Sequence, residues 1–520
     1  MNYKKKTLLL IAIATLVRCI IASCIELGND EVYYRMYAQY LQWNYFDHPP
    51  IVGWLIRFTT ANLFFDNEFF IRLGAIASAA ITTWLLYLSG KKLSNEYTGF
   101  LAAAIYTATI YGSIIAGAFI LPDSPQMVCW AAGLCLLIDI TQYNIVNRVK
   151  KRKLLLFGIV TGLGMLCKIH TSFLWLGFLL YIIFYNRQWF KQPVLYLSGI
   201  ITILFFYPVI QWNIDNHFVT YLYHSNRVNV TDGGGFDPSS FLTFAAGQVF
   251  YYNPIIFYFI IVAAIAAFKN DLPVLSSQRR LLLFCSLPLI AFAAGISLFK
   301  DVLPHWTGPA YSGLILLTAC YFSRQKENRV LEKRLMPVPL LLAITLLIII
   351  VTSGIAAVNF LPGTLGKKDT AIFGEGDFTL DMYGWQNLKT EFKKIVDADI
   401  KTGAMKADAV IICNKWFPAA HIDLYTAMPL HKDVIAIGDT NDIHQYAWIN
   451  SKRKTLLPGD DAYCIVPSNY YADVKTIYAS CFTTILPPQI IEQKRNGTLC
   501  RYFYIWRLKQ YIKKQTPFTQ

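Results

Sequence analysis

Charge is scarce in this chain. Only 15% of its 520 residues are Asp, Glu, Lys or Arg, against about 25% in soluble globular proteins. With 55% hydrophobic residues and a mean hydropathy of +0.40, most of the chain must dissolve in lipid. Several chemical signatures are missing as well. The sequence has no Walker loop, no His-Glu-x-x-His and no Gly-x-Ser-x-Gly, so nucleotide, zinc-hydrolase and serine-hydrolase chemistry have no visible site. No Cys-x-x-Cys spacing organises the 11 cysteines, which excludes a sequence-legible metal knuckle or redox motif. Most of them lie in apolar runs, where a free thiol behaves as a small hydrophobe. Cys413, Cys464, Cys481 and Cys500 fall in the C-terminal region; a disulfide there is compatible with an oxidising compartment, and its pairing is open. No internal repeat of the inverted-transporter kind is visible. Apart from Gly233-Gly234-Gly235, which reads as a mobile loop, there is no low-complexity tract.

What is present is a net charge of +15, distributed in a telling way. The excess sits in short clusters between apolar stretches: Lys4-Lys5-Lys6, Lys91-Lys92, Arg148 to Lys153, Arg279-Arg280 and Arg324 to Arg334. Nucleic acid would require one contiguous basic face, so no nucleic-acid partner is expected. The pattern is instead that of a polytopic membrane protein with positive loops inside. Apolar stretches occur near 7–26, 70–90, 97–121, 124–143, 153–167, 170–186, 194–212, 251–268, 280–298, 303–323 and 336–358, which predicts about eleven transmembrane helices. Lys4-Lys5-Lys6 before an apolar run resembles a signal peptide, and Ile21-Ala22-Ser23-Cys24 a lipoprotein box. Arg18 inside the run and the spans that follow favour an uncleaved first helix.

With the N-terminus cytoplasmic, every basic cluster falls on the inner side. The opposite loops hold Asp30-Glu31, Asp47-His48, Asp123, Lys168-Ile169-His170, residues 212–248 and Lys300 to His305. Charge bias and functional residue types thus agree on one face. The expected organisation is a mainly α transmembrane domain over 1–359 and a C-terminal α/β domain over 360–520, outside the cytoplasm. In the latter, Ala409 to Cys413, Val434 to Ile437 and Tyr463 to Val466 read as short buried strands, with parallel and antiparallel pairing both open.

The outer-face residues carry the chemistry. Asp30 and Glu31 are adjacent, so on a helix their side chains point about 100° apart and do different jobs. One can accept a proton while the other orients a partner; a helix N-terminus that favours acidic residues is the alternative, compatible reading. In Tyr45-Phe46-Asp47-His48-Pro49-Pro50 the prolines stiffen the loop, presenting Asp47 and His48. Asp123, in Pro122-Asp123-Ser124-Pro125, either binds or caps the next span. Lys168 sits at a tight hairpin between apolar segments and needs an anion: a lipid phosphate, or one of the loop acids. His224 and Arg227 follow in the long loop, where Arg227 can grip phosphate through two N–H groups or remain a surface charge. His305 precedes Trp306, whose first role is an interfacial anchor.

Taken in order, Asp30-Glu31-x-Tyr33-Tyr34, Tyr45 to Pro50, Pro122-Asp123-x-Pro125, Lys168 after a glycine-bearing helix, Pro304-His305-Trp306 and Asp381-x-Tyr383-Gly384-Trp385 give a chain that resembles the GT-C fold membrane glycosyltransferases of the glycosyltransferase family 39 superfamily. That group includes protein O-mannosyltransferases and the lipid A aminoarabinose transferase. The resemblance implies transfer of a sugar, with inversion, from a polyprenyl phosphate to a lipid A, protein or envelope-glycan acceptor on the periplasmic face of a bacterial inner membrane. Asp30 would be the catalytic base, with Glu31 beside it. Tyr34, Asp47, His48, Asp123, Lys168, His224, Arg227 and His305 would bind substrate. Where the aminoarabinose transferases carry Lys in the Pro-Pro motif this chain has His48, a weaker, titratable contact, which throws phosphate binding onto Lys168 and Arg227. No cofactor is required; a divalent metal, held for example by Asp47 and His224, is permitted. An O-antigen-type ligase and a lipid-linked glycan transporter are the competing classes.

Overall fold

The computed structural model describes residues 2–143, 146–229, 235–328 and 335–512. Gly233 and Gly234 of the expected mobile loop, and residues 329–334 of the last basic cluster, lie outside the described residues. The chain divides into two compact units, one of residues 1–22 and 41–351, the other of residues 23–40 and 352–520. The segment carrying Asp30-Glu31 therefore sorts with the C-terminal part of the chain.

Helices α1 (Tyr3–Cys24), α2 (Asn29–Gln39), α3 (Ile51–Thr59), α4 (Glu68–Leu93), α5 (Glu96–Ala108), α6 (Asp123–Thr141) and α7 (Arg148–Cys167) come first. They are followed by α8 (Phe173–Tyr185), α9 (Pro193–Asp215), α10 (Val219–Val228), α11 (Pro238–Tyr251), α12 (Pro254–Phe268), α13 (Ser276–Ser297), α14 (Tyr311–Asn328) and α15 (Val338–Phe360). Asparagines set several starts: the side chains of Asn67, Asn95 and Asn147 accept from the backbone N–H of Phe70, Thr98 and Lys150 at 3.2, 2.9 and 2.9 Å, each closing the orphan donors of a first turn. The core of the first unit gathers Trp130, Phe157, Phe178, Tyr181, Trp189 and Ile256. Arg18, the polar interruption of α1, is buried and donates to the carbonyls of Gly112 and Ser113 at 3.1 and 3.4 Å.

Among the described residues six helices are long and apolar enough to cross a membrane, or seven if α11 and α12, bent by 99° at Asn253, form one span. The sequence pattern predicts about eleven, and the difference has local causes. The run 97–121 is cut after Ala108 by a wide turn over Tyr111–Ile115. Helix α7 spends its first turns on Arg148 to Lys153, the Ile169–Tyr185 segment is a shorter apolar helix, and the run from 303 opens with a tight turn over Pro304–Ala310.

The second unit is built on a six-stranded mixed sheet of β1 (Val410–Cys413), β2 (Val434–Ala436), β3 (Ala462–Pro467), β4 (Phe482–Ile485), β5 (Gln489–Arg495) and β6 (Thr498–Tyr511), in the order β2-β1-β3-β6-β4 with β5 also on β6. Strand β1 pairs in parallel with β2 and β3, and β6 is antiparallel to β3, β4 and β5. The fully buried β1 to β3 are the apolar runs that the sequence marks. The β5–β6 hairpin turns on Asn496-Gly497, both with positive φ (46° and 77°), the conformation that suits a two-residue loop to twisted strands. Helix α16 (Trp385–Thr402) buries Trp385, Leu388, Phe392, Ile395, Val396 and Asp399, the one-face spacing of an amphipathic helix. Buried Arg495 pairs with buried Asp377 at 3.1 Å and donates to Gly363 O and Thr379 Oγ1 at 2.8 and 2.7 Å, so its charge is both paired and hydrogen-bonded. All eleven cysteines are free thiols.

Candidate functional site

In the first unit, α6 and the end of α7 bring two charges together. Lys168 leaves α7 in an extended conformation, and its Nζ meets Asp123 Oδ2 at 2.8 Å with both side chains almost completely buried. The Tyr111 hydroxyl donates to the other carboxylate oxygen at 3.1 Å. Tyr111 can lie there because residue 308 is glycine: a Cβ at that position would sit 2.0 Å from the Tyr111 ring carbon Cζ. The internal acid named as a partner for Lys168 on sequence grounds is Asp123.

The loop bearing Asp47 and His48 is fastened to α9 and α10. Asn44 Nδ2 donates to Thr220 Oγ1 at 2.8 Å, the Thr220 hydroxyl donates to Tyr45 O at 3.1 Å, and Trp212 Nε1 donates to Gln42 Oε1 at 3.0 Å. His224 bonds Asp47 through its main-chain carbonyl at 2.8 Å. A carbonyl only accepts, so Nε2 of His224 carries the proton. The His48 and His224 rings are 6.2 Å apart. Burial pushes the His48 imidazole well below the usual range, and the charges of Lys168 and Arg227 push the same way. His224 is likewise lowered by burial. Both rings are therefore neutral at pH 7, which leaves Lys168 and Arg227 as the cations. The Arg227 guanidinium lies over the Tyr223 and Trp306 rings at 5.6 and 5.2 Å, and His170 packs 5.7 Å from the same Trp306 ring. Half-buried His305, next to Trp306, is within electrostatic reach of Lys168, Asp123 and Arg227. Among the described residues no group of three or more His, Cys, Asp or Glu side chains is gathered as a metal site would need.

In the second unit, α2 opens at Gly28, and three successive side chains take three directions. Asn29 Nδ2 donates to Asp381 Oδ2 at 3.1 Å. Asp30 is exposed. Glu31 is buried and its Oε2 accepts from the Gly28 N–H at 3.0 Å, so the N-terminal cap contact anticipated at this acidic pair falls on Glu31. Tyr34 is buried, its ring edge-on to Tyr37 at 5.4 Å. Tyr33 packs on Trp416 at 4.7 Å and accepts from the Gln445 N–H at 3.0 Å. The structure thus groups Asp47, His48, Asp123, Lys168, His224, Arg227 and His305 in the first unit, and Asp30, Glu31 and Tyr34 in the second.

Sequence reasoning missed Asn29, His421 and Tyr470. Buried His421 bonds Asn29 Oδ1 through Nε2 at 2.9 Å and stacks on Trp385 at 4.2 Å. Tyr470 donates to Asp381 Oδ1 at 2.6 Å. Burial raises the Asp381 carboxyl, opposed by the bonds from Tyr470 and Asn29 and by the Arg501 charge, while burial and then Arg501 hold His421 well below the imidazole range. A pH dependence follows. An unfolded His titrates near 6.5, so below that the unfolded chain binds a proton that folded His421 refuses. Stability is then lost as pH falls, by up to about 1.4 kcal/mol per pH unit. Asp381 has the opposite sign, at more acidic pH, because its folded carboxyl takes the proton first. Thermal unfolding of the full chain at pH 7.5 and 5.5 should show a smaller acid loss for His421→Gln than for wild type; equal losses would refute this.

Residues 47–212 match the family model described as dolichyl-phosphate-mannose-protein mannosyltransferase. The lipid A galacturonosyltransferase RgtD of Rhizobium johnstonii is 22% identical over 289 residues, 55% of this chain; the match spans 59% of that relative's length. The crystal structure of ArnT from Cupriavidus metallidurans, in its apo state, superposes with a TM-score of 0.61 at 12% identity, over 97% of this chain and 98% of that one. The fold is that of ArnT, and the chain resembles the GT-C membrane glycosyltransferases.

Proposed function

We propose that the chain is an integral membrane glycosyltransferase that moves one sugar from a polyprenyl-phosphate carrier to an acceptor at the periplasmic face of a bacterial inner membrane. The N-terminus would lie in the cytoplasm and the sheet-bearing unit in the periplasm. The observation that carries this reading is the exposed Asp30 on the first turn of α2, in a chain with the ArnT fold. An acceptor hydroxyl or amine attacks the anomeric carbon and gives its proton to Asp30. The bond from that carbon to the phosphate oxygen breaks, and polyprenyl phosphate leaves with the electron pair. Lys168 and Arg227 stabilise the phosphate charge as it develops, with His48, His224 and His305 as neutral hydrogen-bonding groups around it. The likeness to a lipid A galacturonosyltransferase supports a lipid A-type acceptor ahead of protein or envelope glycan.

Mass spectrometry of the lipid A, glycan and periplasmic protein fractions from cells with and without the gene tests this. One fraction should gain the mass of a single sugar, with the carrier released as its monophosphate. A polymer-sized increment or a released diphosphate would indicate a ligase, and no change in any fraction would refute transfer.

A further inference from the structure

We propose that Asn29 is a positioning residue for the proton-accepting carboxylate, held by Asp381, Tyr470 and His421; this rests on Asp30 being the base. Both ends of the Asn29 amide are used. Its Nδ2 donates to Asp381 Oδ2 at 3.1 Å and to the Tyr470 hydroxyl at 3.4 Å, and its Oδ1 accepts from His421 at 2.9 Å. The amide therefore has one orientation, and His421 one tautomer, with the proton on Nε2.

The partners are fixed in turn. Tyr470 donates to Asp381 Oδ1 at 2.6 Å. His421 lies face to face with Trp385, 10° from parallel, and Trp385 Nε1 donates to Asp381 O at 3.1 Å. Glu26, just ahead of α2, accepts from the Trp385 and Gln386 N–H groups at 2.7 and 3.2 Å. The chain thus passes from Glu26 to Trp385, Asp381 and Asn29, and closes through His421 on Trp385. At the other end of α2, the Tyr40 hydroxyl accepts from Arg453 Nε at 3.3 Å, and Arg453 is paired with buried Asp423 at 2.5 Å.

Apolar packing already attaches α2, through Val32, Tyr33, Met36 and Tyr37, all fully buried. Packing of that kind tolerates small rotations about the helix axis, whereas directional hydrogen bonds to both ends of one amide hold a single arrangement. The network grips the residue immediately before Asp30, about 100° round the helix from it, and so sets the bearing of the exposed carboxylate.

The test uses the full-length protein in nanodiscs, with product read as the sugar-bearing acceptor mass and affinity for undecaprenyl monophosphate read by tryptophan fluorescence. Asn29→Ala should lower kcat by roughly 10- to 100-fold, the scale of a small misplacement of a catalytic group, with KM and carrier affinity changed less than about twofold. Tyr470→Phe, which keeps the ring packed on Phe417 at 4.5 Å, should lower kcat by a smaller factor. The double variant should be no slower than Asn29→Ala, because the two act through one network. Unchanged kcat in Asn29→Ala, or multiplying effects in the double variant, would overturn the proposal. If Asn29→Ala does not fold, Tyr470→Phe decides alone, and an unchanged kcat overturns it. Asp30→Asn separates the two readings. An active Asp30→Asn removes the base and the positioning together, whereas an inactive one beside a fully active Asn29→Ala removes the positioning only.

Discussion

Asp30→Asn is expected to lower the rate of sugar transfer by about 10²- to 10⁴-fold, the usual contribution of a positioned general base, while leaving carrier binding and thermal stability where they were. The substitution keeps the shape of the side chain and removes its negative charge, and with it the ability to take up a proton. Asp30 is exposed on the first turn of α2, and substitutions at such positions usually shift stability by no more than about 0.5 kcal/mol. A loss of rate is then a loss of chemistry. Glu31→Ala provides the contrast, since a glutamine would still accept from the Gly28 N–H. Glu31 is buried and bonds the Gly28 N–H, so its loss should lower stability by about 1 kcal/mol, the scale of a lost cap, and affect turnover less than Asp30→Asn. Single-turnover product formation with each purified variant checks both. A rate for Asp30→Asn within tenfold of wild type would remove Asp30 as the base, and carrier flux that survives the substitution would favour a transporter.

How much of this was legible beforehand depends on whether the signal was local. Strands β1, β2 and β3 stand out because they are buried on both faces and so read as short apolar runs. The β5–β6 hairpin does not, because Arg501, Arg507 and Lys509 interrupt β6 and the exposed faces of β5 carry Glu492 and Lys494. The signal that could have found it is the Asn496-Gly497 dipeptide, which marks a two-residue hairpin. The expected count of spans and the number of sufficiently long apolar helices among the described residues differ where hydropathy is blind to backbone. The turn over Tyr111–Ile115 and the bend at Asn253 lie inside apolar sequence. At the candidate site, Asp30, Asp47, Asp123 and Lys168 announce themselves as charges in an apolar chain. Asn29 is a small polar residue among turn formers, and its partners Asp381, His421 and Tyr470 follow 352, 392 and 441 residues later. Only Asp381 lay in a motif; the grouping needed the fold. Tyr111 and Gly308 are of the same kind, since neither is unusual until a ring is seen lying against a bare backbone.

Removing either partner of the Asp123–Lys168 pair should cost about 3–5 kcal/mol, because it strands a buried charge. Asp123→Asn leaves the Lys168 ammonium facing a neutral amide, and Lys168→Met leaves a carboxylate with the Tyr111 hydroxyl. The double variant carries no charge at either position and should recover stability to within about 1 kcal/mol of wild type, as buried pairs exchanged for neutral residues commonly do. Activity then separates two roles that structure alone superimposes. An ammonium has three donors, and the one bond to Asp123 Oδ2 both holds Lys168 in place and leaves others to meet a phosphate oxygen. If the pair only braces α6 against the end of α7, the double variant should regain turnover along with stability. If Lys168 stabilises the departing phosphate, the double variant should be folded and slow, with Arg227 alone unable to replace it, since charge stabilisation at a developing anion is worth about 3–4 kcal/mol for each well-placed donor. Thermal midpoints and turnover for the four proteins of this cycle decide between them, and a folded double variant that works at the wild-type rate would strike Lys168 from the phosphate-binding groups.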